Sequence, residues 1–321
     1  MKKSLKTLPN NWQERFENYF QSSDSKEILE KIEQILNLKS RKTCFRINTL
    51  KTSPEKVLEK LENNDIKVEK IPYLRYSYFL VNNNKRDLEN LDIYKNWEIY
   101  LQNPSSQLPA LILNPEPWEK VLDACSAPWS KTTQMASLME NSWEILAIEL
   151  SHIRLEKLKY NLNKQWVDIV KTQKIDATNL LWILEKNSFD KILVDAPCSA
   201  EGRINLNNEK TYKFLSRKNT LEKARLQKNI LKNVIPLLKS WWELVYSTCT
   251  LAPEENEAIV NFVLSQYREL EIMKIDLNLD FSTSPLKKWW KQIFDSRVEN
   301  ALKIIPSEQT EGFFIVKFRK K

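Results

Sequence analysis

Two cysteines stand at the ends of hydrophobic runs that read as buried strands. Asp195-Ala196-Pro197-Cys198 follows the run Asp190–Asp195 (DKILVD), and Ser247-Thr248-Cys249-Thr250 closes the run Glu243–Cys249 (ELVYSTC). A thiol in such a place is a nucleophile when a helix N-terminus or a nearby cation stabilises its thiolate. The bland reading is two inert buried thiols, the usual state of a lone cysteine; two of them at the mouth of one sheet favour function. Acids take comparable places: Asp123 after Val121-Leu122, Glu149 at the end of Glu144–Glu149 (EILAIE), and Asp176 past the strand candidate Asp168–Thr172. With no Gly-rich phosphate loop and no metal or flavin signature, the cofactor is one read by acids. Glu149 is placed to accept from ribose hydroxyls, as the acid does in dinucleotide folds, and Asp176 from an adenine amino group. For either acid alone, a solvated loop carboxylate is the commoner explanation.

The elements that must position these residues alternate between strand and helix. Lys120–Lys131 (KVLDACSAPWSK) reads as first strand and loop, followed by the helical stretch Thr132–Leu138. An amphipathic helix over Ile153–Asn163 follows the second strand, and a long helix over Leu221–Leu238 feeds the strand ending at Cys249. Pro253–Tyr267 predicts another helix, with Glu254, Glu255 and Glu257 in its first turn where the dipole favours acids. This alternation implies an open, doubly wound, mostly parallel sheet, in which residues past the strand ends converge on one crevice. Asp123, Glu149, Asp195, Cys198 and Cys249 are therefore expected to share a site. Leu302–Pro306 and Gly312–Phe318 predict a closing antiparallel pair.

The N-terminal part reads differently. Leu8–Leu36 is helical by the spacing of Phe16, Tyr19, Phe20, Ile28, Leu29, Ile32, Ile35 and Leu36. A strand over Thr43–Asn48, a helix over Ser53–Asn63 and extended stretches at Ile66–Ile71 and Tyr76–Val81 predict a small βαββ-type unit, with Ser53 as N-cap and Pro54 at the first helical position. The division expected is a helical and α+β domain over 1–95 and a catalytic domain over 96–321.

Composition narrows the chemistry. Four dispersed cysteines without a C-x-x-C pair, and a single histidine, His152, argue against a zinc site and against a histidine-dependent triad. No apolar run reaches the roughly 18 residues of a membrane helix, and the N-terminus has no secretory apolar core, so the cytoplasm is the expected compartment. The net charge of +8 suits a polyanionic partner, although scattered surface lysines explain it equally well.

The stretches LDACSAPWSKTTQ, AIELSHIRLEKLKYNL, KILVDAPCSAEG, LVYSTCTLAPEENE and TEGFFIVKF, with QNPSSQLPAL and TCFRINTLKTSPEKVLEKL before them, resemble the RsmB/Nop/Sun-type RNA cytosine-5 methyltransferases. The resemblance covers roughly residues 8–321, and DAPCS together with STCT is far more specific than a general methyltransferase pattern. It implies a class I (Rossmann-like) methyltransferase domain with a closing antiparallel strand, behind a small N-terminal α+β domain that binds RNA. It implies S-adenosyl-L-methionine as cofactor, RNA as partner (ribosomal more than transfer), no metal, no membrane and a monomer. Cys249 matches the nucleophile that attacks C6 of cytosine, Cys198 the cysteine that resolves the adduct, and Asp195 the acid that contacts base and cofactor. Ala124, Cys125, Ser126, Ala127, Pro128, Trp129, Ser130 and Lys131 match the loop facing the methionine part of the cofactor. Glu149, Arg154 and Asp176 match the remaining cofactor-side positions. An inactive RNA-binding or ribosome-assembly factor keeping the fold is the alternative, and a small-molecule methyltransferase a third reading.

Where the family typically has glycine, this chain has tryptophan at positions 97, 118, 129, 143, 166, 241 and 242, and it contains only two glycines, Gly202 and Gly312. An α/β fold with many tight turns needs more than two. The codon UGA connects the two residues, being read as glycine in some bacterial codes and tryptophan in others. The pattern therefore suggests a sequence translated under the wrong code, in which case the chain as written would fold poorly or bind cofactor weakly.

Overall fold

The computed structural model describes residues 4–9, 12–19, 25–126, 130–277 and 279–321, with backbone alone for 25–28. They form two compact units, one of residues 42–195 with 233–245, the other of residues 1–41, 196–232 and 246–321. This division does not follow chain order at 95/96.

The unit of residues 42–195 and 233–245 holds two sheets. The smaller contains β1 (Cys44–Ile47), β2 (Val68–Lys70), β3 (Ser77–Leu80) and β4 (Ile99–Leu101) in the antiparallel order β2-β3-β1-β4. Helix Pro54–Glu62 starts as expected, with Ser53 accepting from the Lys56 amide and Pro54 in the first turn. Phe45, Ile47, Val57, Leu61, Tyr78 and Ile99 pack the core of this βαββ element. Strand β4 carries no clear alternation of its own and is made a strand by pairing with β1.

The larger sheet has β5 (Lys120–Asp123), β6 (Glu144–Ile148), β7 (Val170–Gln173), β8 (Phe189–Asp195) and β9 (Leu238–Thr248), in the order β9-β8-β5-β6-β7. β5 runs parallel to β6 and β8, and β6 parallel to β7. Val121, Leu122, Ile145, Ala147, Ile192 and Leu193 are fully buried, the near-continuous apolar pattern of strands covered on both faces. From β5 the chain proceeds outward through β6 and β7, then returns to β8 on the other side. The switch point thus falls between β5 and β8, at whose carboxyl ends ligands bind in such sheets.

A buried arginine ties the small sheet to the larger. Arg46 in β1 donates from Nε to Gln102 Oε1 at 2.9 Å, and from Nη2 to Thr133 Oγ1 at 2.6 Å and Gln165 Oε1 at 3.2 Å. Burial lowers its pKa to about 10. Three neutral oxygens in place of a carboxylate hold this cation.

The other unit contains helices Trp12–Tyr19 and Ser25–Leu36, most of Arg217–Val234, Glu257–Gln266, and six strands. β11 (Ser282–Thr283) pairs antiparallel with β14 (Leu302–Ile304), β14 with the first half of β15 (Phe313–Lys320), and β10 (Leu270–Met273) with the second half of β15, while β12 (Lys288–Trp289) and β13 (Gln292–Ile293) form a hairpin. The closing pair is thus present. Two helices differ from their sequence expectation. The long helix covers Arg217–Val234, because Pro236 lies in a tighter turn over Ile235–Leu237 that leads into β9. The last begins at Glu257, so Glu254 and Glu255 precede it and bond elsewhere. Gly202 and Gly312 touch: a Cβ built on Gly202 would lie 2.1 Å from the Gly312 carbonyl oxygen. No helix among the described residues is long and apolar enough to cross a membrane.

Candidate active site

In the unit with β5–β8, acids follow the carboxyl ends of successive strands. Asp123 ends β5, fully buried, with Oδ2 accepting from Thr132 Oγ1 at 2.6 Å. Its Oδ1 meets no donor among the described residues. Burial pushes this carboxyl up to about 7, against the Thr132 hydrogen bond; the charge of Asp195 adds to the rise and that of Lys131 opposes it. Lys131, in the first turn of helix Ser130–Leu138, places Nζ 2.7 Å from Asp195 Oδ2 and 3.0 Å from Ser106 Oγ. The ion pair spans the switch point, linking the helix after β5 to the end of β8.

The loop after β5 is fastened at both sides. The Ala124 amide donates to Leu193 O at 3.0 Å, and Ser126 donates to Ile148 O from its amide at 3.0 Å and its hydroxyl at 2.9 Å. Burial first, then the charges of Asp123, Asp195 and Glu149, holds the Cys125 thiol well above its ordinary pKa. Cys125 therefore stays protonated and has no nucleophilic part. Ser130 is buried at the helix start, while Ala127, Pro128 and Trp129 lie outside the described residues.

Glu149 is buried just past β6, its Oε1 accepting from the Ser151 amide at 2.7 Å and pairing with Arg154 Nη2 at 2.8 Å. Arg154 thus stands beside Glu149 and holds its carboxylate. Asp176 follows β7 and caps the short helix Ala177–Trp182, its Oδ1 accepting from the Thr178 amide at 2.9 Å and hydroxyl at 2.8 Å. Asp123, Glu149 and Asp176 therefore line three adjacent strands at one edge. A row of acceptors at one edge suits a ligand rich in hydroxyl and amino donors.

In the other unit the two cysteines, 51 residues apart in sequence, meet with Sγ atoms 3.4 Å apart. The Ala196 amide donates to Ser247 O at 2.9 Å, and Ser199 Oγ lies 2.8 Å from Thr250 Oγ1, so the two loops are joined on both sides of the thiols. The Cys198 thiol is held well above its ordinary pKa, first by its hydrogen bond to Cys249 and then by burial, with Cys249 and Glu255 adding. The raised pKa keeps Cys198 in its thiol form, in contact with Cys249 Sγ. Arg203, 3.4 Å from Glu311, is held charged by that carboxylate and by proximity to both thiols.

Sequence reasoning left Arg203 out, although its place five residues after Cys198 is a signal of sorts. It also gave Glu254 and Glu255 to a helix dipole. Glu254 instead takes a bidentate pair from Arg15 at 2.9 Å, and Glu255 bonds the loop of Cys198. No group of three histidine, cysteine, aspartate or glutamate side chains among the described residues is arranged to hold a metal ion.

A tRNA (cytosine(49)-C(5))-methyltransferase from Pyrococcus abyssi is 35% identical over 287 residues, covering 88% of this chain and 89% of that one. A probable ribosomal RNA small subunit methyltransferase B from Bacillus subtilis is 30% identical over 281 residues, 87% of this chain but 60% of the relative. A solved methyltransferase homolog from Pyrococcus horikoshii superposes with a TM-score of 0.83 at 27% identity, covering 97% of this chain and 95% of that one. The fold is accordingly the Rossmann-like one of methyltransferases. Since the family described as 16S rRNA methyltransferase RsmB/F also matches residues 110–319, the chain belongs to that family.

Proposed function

We propose that the protein methylates C5 of a cytosine in RNA, and that the observation carrying this reading is the meeting of Cys198 and Cys249, their Sγ atoms 3.4 Å apart on loops joined on both sides of the thiols. Cytosine C5 is a poor nucleophile. Addition of Cys249 Sγ to C6 forms an S–C6 bond and moves electron density to C5, which splits one hard step into easier ones. S-adenosyl-L-methionine supplies the electrophilic methyl group. The C5–H bond then breaks, its proton passing to a water molecule and its electron pair re-forming the C5=C6 bond as the C6–S bond breaks and the thiolate leaves. Cys198 holds the proton next to that leaving sulfur and assists its departure.

On the cofactor side, Glu149 and Asp176 accept from ribose and adenine, and Arg154 orients Glu149. Asp195, held by Lys131, faces the base and the donor. Ala124, Cys125, Ser126, Ser130 and Lys131 contact the methionine part. Residues 1–95 are the RNA-binding part, ribosomal RNA is preferred over transfer RNA, and the protein acts as a cytoplasmic monomer without a metal. The names of the relatives support RNA as substrate, since they act on tRNA or on ribosomal RNA. The competing reading, an inactive RNA-binding factor, has no supporting observation.

The test is a pair of substitutions. Cys249→Ala should abolish methyl transfer while leaving RNA binding intact, and Cys198→Ala should accumulate a covalent RNA–protein adduct visible on a denaturing gel. An adduct from Cys249→Ala and none from Cys198→Ala would reverse the two roles.

A further inference from the structure

Asn256 and Glu255 are neighbours in the chain, both fully buried, and neither side chain bonds the first-turn amides of the helix that follows. An asparagine at an N-cap ordinarily accepts from the first-turn amides. Asn256 makes no such bond. Its Oδ1 accepts instead from Thr248 Oγ1 at 2.6 Å, and its Nδ2 donates to Thr250 O at 3.0 Å. These are the residues immediately before and after Cys249. Glu255 does the same for the other thiol. Its Oε2 accepts from the Ser199 amide at 3.1 Å and from Gln227 Nε2 at 2.8 Å, and the same Gln227 nitrogen donates to Pro197 O at 3.0 Å. Pro197 and Ser199 flank Cys198. Tyr246 OH, donating to Glu255 O at 2.7 Å, anchors the main chain from which both side chains project.

We propose that Asn256 and Glu255 are positioning residues, one for each thiol: Asn256 aims Cys249 and Glu255, through Gln227, aims Cys198. This rests on the roles given to the two cysteines above. Helix capping alone would leave both side chains free to bond the helix, and it would not produce a matched grip on either side of each cysteine. The two half-reactions should therefore respond separately.

In the Cys198→Ala background, adding Asn256→Ala should slow adduct formation about tenfold or more, the equivalent of roughly one hydrogen bond's worth of misalignment, with RNA affinity unchanged. Thr248→Val, which removes only the hydroxyl that Asn256 holds, should behave alike and guards against a folding defect in the first variant. Glu255→Ala in the otherwise natural chain should leave adduct formation within about twofold and slow adduct release, whereas Glu255→Gln, which keeps an oxygen for the Ser199 amide, should recover release. Alkylation of the free enzyme with iodoacetamide gives a readout without RNA: Asn256→Ala should alter labelling of Cys249 alone, and Glu255→Ala that of Cys198 alone. Equal effects of both substitutions on formation, release and the two labelling rates would overturn the assignment. Absence of any adduct from Cys198→Ala with Asn256 and Glu255 intact would instead refute the cysteine roles, and the labelling rates would still decide the positioning.

A separate observation concerns the tryptophans. Ten of the eleven lie within the described residues, and six of these, Trp97, Trp118, Trp143, Trp166, Trp241 and Trp290, have φ between 52° and 76°. Only about a few per cent of non-glycine residues adopt such values, and bulky residues there are outliers. Trp290 opens the two-residue turn of the β12–β13 hairpin, where Trp289 pairs with Gln292, and such turns take glycine, asparagine or aspartate. Trp118, Trp143, Trp166, Trp241 and Trp290 all present their indoles to solvent. The two glycines in the chain have no positive φ and serve close approach instead. Left-handed turns and close contacts thus use different residues here, which selection for glycine's flexibility would not produce.

We infer that these six positions carry glycine in the working protein, through UGA codons. Trp290 joins five of the seven positions picked out by resemblance; Trp242 has no positive φ and Trp129 lies outside the described residues. The gene should read UGA at all six and UGG at Trp12, which is buried in a helix. Peptide mass spectrometry of the protein from its own source should find glycine at the six. UGG codons or tryptophan-containing peptides at most of them would overturn the inference. The six-glycine version should also melt higher than the six-tryptophan version, and equal melting temperatures would count against it.

Discussion

Asp123→Asn should flatten the dependence of stability on pH. The carboxyl is fully buried at the end of β5, with one oxygen bonded to Thr132 and the other without a donor among the described residues, and its pKa rises from 3.8 to about 7. A folded-state pKa above the unfolded one means that folding retains a proton the unfolded chain releases. Its contribution is therefore fully present below about pH 4, falls as pH rises, and is gone above about pH 7. The interval between pH 5 and pH 7 covers about two pKa units, which at about 1.4 kcal/mol per unit is on the order of 3 kcal/mol. For a unit of this size that corresponds to roughly 5–10 °C in melting temperature. Asparagine is nearly isosteric, still accepts from Thr132 and does not ionise, so this part of the slope should vanish. Glu255, raised to about 7, and Glu201, raised to about 8, both chiefly by burial, titrate in the same direction. A residual slope should therefore remain. Thermal melts by far-ultraviolet circular dichroism from pH 5 to pH 8 at constant ionic strength make the measurement. Superimposable slopes for the natural chain and the variant would refute the argument that Asp123 is a protonated, buried acid.

Arg46→Met should destabilise the unit of residues 42–195 and 233–245 by about 2 kcal/mol or more, because the oxygens of Gln102, Thr133 and Gln165 would lose their common donor. A urea melt with an unchanged midpoint would contradict this. Gly202→Ala should prevent native packing around the Cys249 loop, since the new methyl would meet Gly312 O at 2.1 Å, and retention of full activity would show that the contact can open. Glu149→Ala and Asp176→Ala should each weaken S-adenosyl-L-methionine binding by about 1.5–3 kcal/mol per lost hydrogen bond. Titration calorimetry with unchanged affinity in both variants would move the cofactor elsewhere.

What the sequence by itself determined is local and periodic. Apolar runs ending in Asp123, Glu149 and Asp195 announced parallel strands and the edge where a ligand binds, because a strand buried on both faces leaves little choice of residue until it emerges. The DAPCS and STCT stretches pointed to the family, and the shortage of glycine showed before any backbone angle that the written residues and the turns disagree. Only the tertiary structure decided which partners the polar residues take. Arg15 pairs with Glu254 across 239 positions of chain, and Cys198 reaches Cys249 across 51. Such bonds depend on where distant loops arrive and leave no period in the sequence. The same holds for Arg46 of β1, which finds oxygens on Gln102, Thr133 and Gln165. Burial raised Asp123 and Cys125, and a hydrogen bond to Cys249 raised Cys198, because the free energy of a charge depends on the water and dipoles around it rather than on the residues beside it in the chain.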